Sequence, residues 1–393
     1  MRHIKRLGYV VLAITMVTVS LVSWSCAPKP AQELPPIKIG ALLDYTGPMA
    51  EWGTIMERAM KWKLDQVGWE VAGRKIELII QDGGADPVAT VDKAKKMVEQ
   101  DKVVAIIGPI MSDAAAAVAL YLKPFGIPYL AIMDHSHTIL EAGNVFLPGG
   151  CLDEFPYVLG VYAAQQLGFR KAAVIYPDYV WGQESSQGFK RGFATQGGEA
   201  IQMLPTGTFE LDFAPYLGSI GDNIDCIAYA AFAGNMPIFI RQYKEFGLKQ
   251  PLLLMKGSLL LPDLMAELGD DALGIVTAEQ YTSWIDTKAN QDFVAEFQTR
   301  FGEKPEVNEV NTWISTTAVI EAIKATKGDT SPDKLLAAVR EVKVEAPQGQ
   351  IEFMPNGMTK HAVYILRAEK RGGEYCWIPI QEYQHTNRDI LMK

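Results

Sequence analysis

The sequence predicts an α/β fold built around parallel sheets, and three observations predict it. From Ile37 onward, short apolar β-rich runs alternate with longer amphipathic stretches, which is the pattern of βαβ units. The 393 residues are 48% hydrophobic and 21% charged, a balance that fills two ordinary cores and excludes a disordered chain. The segments after the apolar runs are rich in aromatics and hydroxyls, as loops are at the carboxyl ends of sheet strands where a ligand crevice forms. Other classes are set aside by charge and cysteine usage. With 37 Lys and Arg against 46 Asp and Glu the net charge is −9, which gives no electrostatic reason to bind nucleic acid. Cys26, Cys151, Cys226 and Cys376 stand too far apart for zinc-type spacing and are too few for a disulfide scaffold.

The amino terminus is expected to direct export. Arg2, Lys5 and Arg6 precede an apolar run from Leu7 to Val22, shorter than the roughly 20 residues of a spanning helix. Residues 1–25 therefore read as a signal peptide. Ser23-Trp24-Ser25-Cys26 fits two kinds of processing, an ordinary small-x-small cut or a lipoprotein signal in which Cys26 becomes the acylated first residue. Residues 26–36, with Pro28, Pro30, Pro35 and Pro36, have the composition of an extended, solvated tether, which favours an anchor at Cys26. No later apolar run approaches spanning length, so the mature body is expected to be soluble and extracytoplasmic.

In chain order, Ile37–Leu43, Lys75–Gln81, Val103–Ile107 and Pro128–Ile132 read as strands, separated by helical spacing at Glu51–Val67, Pro87–Glu99 and Ser112–Pro124. A second series opens after Asp153 with a helix to Leu167. Strands follow at Ala172–Tyr176, Glu199–Leu204, Ile224–Ala230, Leu252–Met255 and Gly274–Ala278, with helices at Gly182–Thr195, Met236–Phe246 and Leu261–Leu268. Helical patterns at Asn290–Phe301, Glu306–Lys327 and Ser331–Arg340 come next, the last starting on Ser331-Pro332 as cap and first turn. The chain closes on strand-like Gln350–Phe353 and Ala362–Arg367.

Catalytic machinery is not visible. His135-x-His137 has a spacing that a metal-dependent hydrolase uses, but His3, His361 and His385 are the other histidines and no second metal-like cluster completes a site. Two loop histidines, one of them able to hydrogen-bond a ligand, is the better reading. The nucleophile elbow, the phosphate-cradling glycine loop and the dinucleotide fingerprint do not occur.

Three ordered motifs carry a resemblance. Ile37-Lys38-Ile39-Gly40 through Gly47-Pro48-Met49-Ala50-Glu51-Trp52-Gly53, then Asp82-Gly83-Gly84-Ala85-Asp86-Pro87, then Ile107-Gly108-Pro109-Ile110-Met111-Ser112 are similar to the leucine/isoleucine/valine-binding protein family. These are periplasmic substrate-binding proteins of branched-chain amino-acid-type ABC transporters. The resemblance runs from about Ile37 to the C-terminal strands and implies a type I periplasmic binding protein fold, in which two Rossmann-like lobes with parallel sheets are joined by a three-crossover hinge. With crossovers near Phe155, Trp284 and Ala346, lobe 1 would be 37–155 plus 285–345 and lobe 2 would be 156–284 plus 346–393.

The same resemblance implies a monomer without cofactor or catalysis that captures a small amino acid or other small carboxylate, aromatic acids included, and delivers it to a membrane permease. A ligand-sensing domain that feeds a signalling partner is the alternative. Trp52 and Trp181 would close on the ligand from opposite lobes, and Ser112 would hold its carboxylate at a helix start, where free N–H groups and the helix dipole favour an anion. Asp134 and Ser136 would complete that site, with Phe232 and Tyr281 as further aromatic contacts.

Plainer roles stand beside these. The tryptophans fit interlobe packing, Ser112 a helix cap, and Phe232 and Tyr281 core positions, while Asp134 fits either a receiver of a ligand ammonium or a solvated loop tip. Asp82 and Asp86 read as braces of the turn before Pro87. Cys151, Cys226 and Cys376 read as buried small hydrophobes, with one disulfide among them open. Phe232 lacks a tyrosine's hydroxyl, and Asp134-His135-Ser136-His137 is more polar than the small-residue loop usual in branched-chain amino-acid binders, so the sequence departs from leucine-like specificity.

Overall fold

A computed structural model describes residues 34–230, 234–257 and 260–386. The export segment, Cys26 and Phe232 lie outside the described residues. The first half of the body runs β1 (Ile37–Leu43), α1 (Ala50–Gln66), β2 (Glu70–Val71), β3 (Arg74–Asp82), α2 (Pro87–Lys96), β4 (Ala105–Ile107), α3 (Ser112–Leu122), β5 (Tyr129–Leu130) and β6 (Val145–Phe146). The second runs α4 (Glu154–Gln165), β7 (Lys171–Pro177), α5 (Val180–Thr195), β8 (Glu199–Thr206), α6 (Ala214–Leu217), β9 (Cys226–Tyr229), α7 (Met236–Glu245), β10 (Leu252–Leu254), α8 (Pro262–Leu268) and β11 (Val276–Glu279). Then come α9 (Lys288–Phe301), α10 (Val307–Ala325), α11 (Pro332–Glu341), β12 (Lys343–Ala346), β13 (Gly349–Phe353), β14 (Thr359–Arg371) and β15 (Glu374–Thr386).

These elements build two sheets. The first has the order β2-β3-β1-β4-β5-β6 and is parallel except for the β2–β3 hairpin. Its central strand β1 is buried almost throughout, as a strand covered on both faces must be. The second sheet has the order β12-β13-β14-β11-β10-β9-β7-β8, with β15 paired to β14. Its β8-β7-β9-β10-β11 part is parallel, whereas β14 joins β11, β13 and β15 antiparallel. The parallel sheets expected from the βαβ rhythm are present, each with an antiparallel addition: the β2–β3 hairpin at one edge of the first, and in the second the C-terminal strands, which return without crossover helices.

The C-terminal hairpin exceeds the single strand read at Ala362–Arg367. Arg371 faces Glu374 across Gly372 and Gly373, which both have positive φ (59° and 92°), the backbone that a two-residue hairpin turn requires. Helices α9 and α10 follow the second sheet's β11 in sequence yet pack on the first half of the molecule. The Trp62 ring of α1 lies 4.8 Å from Phe293, 5.4 Å from Phe297 and 6.3 Å from Trp313. Asp86 caps α2 by accepting from the Ala89 N–H, and Asp82 accepts from Tyr45 N–H, Gly84 N–H and the Thr46 hydroxyl, so both carboxylates brace this turn. Cys151, Cys226 and Cys376 are buried and, among the described residues, none of them is in a disulfide.

Candidate functional site

Loops at the carboxyl ends of strands in both sheets meet at one place, which is where a crevice between α/β sheets is expected. Two of them are built alike. Trp52-Gly53 lies in the first turn of α1 and Trp181-Gly182 in the first turn of α5. A Cβ on Gly53 would sit 2.3 Å from the Asp44 carbonyl oxygen, and one on Gly182 would sit 2.2 Å from that of Pro177. Only glycine lets each helix start press so closely on the end of the preceding strand segment, and that contact fixes where each neighbouring indole lies.

The two indoles border a cavity of about 40 Å³. The first-sheet side contributes Met49, Trp52, Ile110, Met111, Ser112, Met133 and Asp134, and the second contributes Tyr179, Trp181 and Lys256. Of the residues singled out from sequence, Trp52, Ser112, Asp134 and Trp181 are brought together here. Ser112 is the first residue of α3, with Met111 rather than Ser112 in the capping position, so its own N–H is among those a helix leaves without an internal partner. The Ser112 hydroxyl and backbone N–H donate to the Tyr179 hydroxyl oxygen, which links the two sides of the cavity. Burial is the main cause that pushes the Tyr179 hydroxyl up to about 12, so it stays protonated and able to donate.

At another part of the cavity the chemistry is ionic. Asp134 is 5% exposed, so it is not a solvated loop tip. Its Oδ1 lies 3.3 Å from Lys256 Nζ, and the same ammonium lies 3.3 Å from Glu279 Oε2 and 4.8 Å from the centre of the Phe155 ring. Burial disfavours the charged lysine, but the pull of Asp134 and Glu279 outweighs it and holds the Lys256 pKa above its usual value. The loop Lys256-Gly257-Ser258 is one of those expected at a crevice, but no sequence motif gives Lys256 a role in it. The signal was its place directly after an apolar strand run, where a lysine has little apolar reason to be buried.

The remaining candidates fall elsewhere. Ser136 donates to Glu184 Oε1 at 2.6 Å and its side chain caps the short turn at Thr138, so it ties the His135 loop to α5 without lining the cavity. Tyr281 is buried with its hydroxyl 2.9 Å from Asn290 Oδ1, also away from the cavity lining. His135 is fully buried, and desolvation lowers its pKa to about 4. No group of three His, Cys, Asp or Glu among the described residues is disposed to hold a metal ion.

Trp52 also borders a larger cavity of about 520 Å³, whose lining includes Arg58, Glu303, Lys304, Glu309, Trp284 and Trp377. Its charges are largely engaged with one another. Arg58 pairs with Glu303 and Glu309, and Lys304 pairs with Glu374 at 2.6 Å and lies 4.1 Å from the Trp284 ring. Burial pushes the Glu309 carboxyl up to about 7 despite the guanidinium beside it.

A small cavity between two α/β sheets, lined by an indole from each side and with Asp134 paired to Lys256, has the form of a site for a small organic solute. The comparisons with known proteins agree. Residues 36–374 match the family model described as periplasmic binding protein, and the chain belongs to that family. It is thus a solute-binding protein of the ABC-transporter kind, extracytoplasmic and non-enzymatic. A curated relative, Leu/Ile/Val-binding protein homolog 6 of Brucella abortus, is 24% identical over 358 residues, which cover 88% of this chain and 92% of the relative. Among solved structures, a solute-binding protein of an ABC transporter from Rhodopseudomonas palustris BisB5, in complex with 3,4-dihydroxybenzoic acid, is 30% identical with a TM-score of 0.83, over 90% of this chain and 98% of that one. Another R. palustris solute-binding protein, in complex with benzoate, is 25% identical with a TM-score of 0.80, over 88% and 96%. A leucine-binding protein from Thermotoga maritima shares the fold at 18% identity and a TM-score of 0.80, over 90% and 99%.

Proposed function

We propose that this protein captures a small carboxylate with an apolar, aromatic body in the cavity between Trp52 and Trp181 and delivers it to a membrane permease. The observation that carries this is the composition of the cavity. Two indoles, Ile110 and three methionines offer apolar area, the start of α3 offers the Ser112 N–H and hydroxyl, which a ligand carboxylate would take over from the Tyr179 hydroxyl, and the acidic residue on the wall is already matched by Lys256. Amide donors at a helix start favour an anion, and aromatic faces favour a ring. The two R. palustris relatives, solved with 3,4-dihydroxybenzoic acid and with benzoate, support the same class.

Size sets the mechanism. A cavity of about 40 Å³ is well below the roughly 150 Å³ of a site that takes benzene. A ring therefore requires the walls to part and re-form, with the adaptable side chains of Met49, Met111 and Met133 and the Tyr179 ring moving to fit it. We place that motion at a hinge with crossovers near Phe155, Trp284 and Ala346, between lobe 1 (37–155 plus 285–345) and lobe 2 (156–284 plus 346–393). A ligand that touches both lobes only when they close stabilises the closed state by its differential affinity, and a permease can read that state. Cleavage before Cys26 and acylation of its side chain would hold the protein on the membrane through the proline-rich tether 26–36. Wild-type protein that partitions into detergent, and a Cys26→Ser protein that does not, is the expected pair of results.

A thermal-shift screen of residues 27–393 against aromatic acids, aliphatic acids, amino acids, amides and sugars tests the ligand class. A ligand at about 100 times its dissociation constant stabilises the folded protein by roughly 2.7 kcal/mol. Aromatic acids are expected to shift the melting temperature while the matching amides do not, and shifts with sugars alone would overturn the reading.

A further inference from the structure

We propose that Lys256 sets the specificity of this cleft by supplying, from the protein itself, the ammonium that an amino-acid ligand would otherwise bring. The inference rests on the reading of the cleft as a carboxylate site and names which carboxylates it takes. Lys256 follows β10 and Glu279 ends β11 in the second sheet, whereas Asp134 lies beyond β5 of the first, so the pair formed by Asp134 and Lys256 spans the cleft. The three side chains are 3%, 1% and 4% exposed for Lys256, Glu279 and Asp134. Two carboxylates at 3.3 Å and the Phe155 ring at 4.8 Å fix the ammonium from three directions.

Asp134 is the carboxylate among the residues that line the cavity. A ligand ammonium that approached it would come close to Lys256 Nζ in a site shielded from water, where like charges repel strongly and neither can be solvated. A ligand with a carboxylate and no amino group meets no such opposition. Its anionic end is directed away from Asp134 and Glu279 toward the Ser112 N–H and hydroxyl at the start of α3, where it takes the place of the Tyr179 hydroxyl. The cleft thus selects acids over the α-amino acids built on the same skeleton.

Calorimetric titration of the mature protein with two matched pairs tests this, phenylacetate against phenylglycine and 4-methylpentanoate against leucine, with benzoate as the reference acid. Wild-type protein is expected to bind each amino acid at least a hundredfold more weakly than benzoate. Lys256→Met, which keeps the length of the stem but frees Asp134 and Glu279, is expected to gain at least tenfold in affinity for phenylglycine or leucine. If the freed carboxylates prevent that variant from folding, Lys256→Met with Glu279→Gln leaves Asp134 alone to receive an ammonium and is expected to show the same gain. A wild type that binds leucine or phenylglycine as tightly as its deaminated partner, or a folded variant with no gain, overturns the inference. Benzoate binding in the wild type without any gain in the variants removes this inference alone. No binding of benzoate or of either deaminated acid removes the carboxylate reading and this inference together.

Discussion

The two walls of the cleft repeat one device and differ in everything else. Each wall begins an α-helix with Trp-Gly, and in each the glycine lies where a Cβ would strike the backbone carbonyl of the preceding segment, Asp44 on one side and Pro177 on the other. The polar chemistry is not repeated. The first wall presents helix-start amides at Ser112 and apolar side chains from Met49, Ile110, Met111 and Met133, whereas the second presents Tyr179 and the buried ammonium of Lys256. The paired indoles are thus a property of the two strand-to-helix junctions, and in the proposed reading selectivity comes from what lies beyond them.

The strongest way to break the comparison is at the clamp. Trp52 is 1% exposed and Trp181 is 6% exposed, and both belong to the hydrophobic core as well as to the cavity wall. Substitution of either by alanine is expected to cost about 3–5 kcal/mol of stability in a denaturant titration, by removal of a large buried ring. Trp52→Phe and Trp181→Phe keep the core filled and are expected to fold while binding more weakly, so they separate the packing role from the ligand role. Equal binding in both phenylalanine variants and the wild type would show that the indoles only pack.

A second test compares the His135 loop of the first wall with the rest of the molecule through pH. The His135 pKa is about 4 in the folded protein, lowered first by burial, whereas an unfolded histidine titrates near 6.5. Between those values the unfolded chain binds the extra proton, so this residue's contribution is fully present above about pH 6.5 and is lost as the pH falls toward 4. Loss of about 2–3 kcal/mol over that window is expected from this one residue. Unfolding titrations of wild type and His135→Asn at pH 7 and pH 4.5 should show a smaller acid loss in the variant, and parallel losses would contradict the assignment. Glu309 provides a slope of the opposite sign. Burial raises it to about 7, so the folded state holds a proton that the unfolded chain releases from about pH 4.5 upward, and stability from this group falls as the pH rises to 7.

The smallest expected effects sharpen the account of the amide end. Ser112 is the first residue of α3 and follows Met111 in an extended conformation with ψ 134°, so proline fits there without disturbing the helix. Ser112→Pro removes both the N–H and the hydroxyl and is expected to weaken carboxylate binding by about 1.5–3 kcal/mol, the scale of a hydrogen bond to a charged group. Ser112→Ala keeps the N–H and is expected to cost only about 0.5–1.5 kcal/mol. Equal affinities for these two variants would deny the backbone amide its role.

Much of this arrangement could be read from the chain, for identifiable reasons. Alternating apolar runs and helical spacing locate β1, β3, β7 and the long helices to within a few residues; β1 and β7 are buried nearly throughout, and β3 packs Ile76, Leu78 and Ile80 against the core. The short strands at Val145–Phe146 and Lys343–Ala346 carry too few residues to show a period. The antiparallel return of β14 and β15 is not visible in the hydrophobic rhythm, because its mark in the sequence is the two-residue turn Gly372-Gly373, which carries no period. At the cavity, Trp52, Trp181 and Ser112 are the residues that the family resemblance points to, each at a helix start. Lys256 could not be found that way, since its role depends on Asp134 and Glu279, which are distant in sequence and meet it only once both sheets are in place. Asp134 was ambiguous for the same reason, because its partner is a side chain of the opposite wall.

The most direct test of the central claim is a calorimetric titration of the purified mature protein with 3,4-dihydroxybenzoate and benzoate, run beside benzamide and leucine. Saturable binding of at least one of the two acids, with benzamide and leucine bound at least a hundredfold more weakly, is the result this account predicts. Leucine bound more tightly than both aromatic acids would contradict it, because the cleft would then be accepting an ammonium at the place that Lys256 already fills.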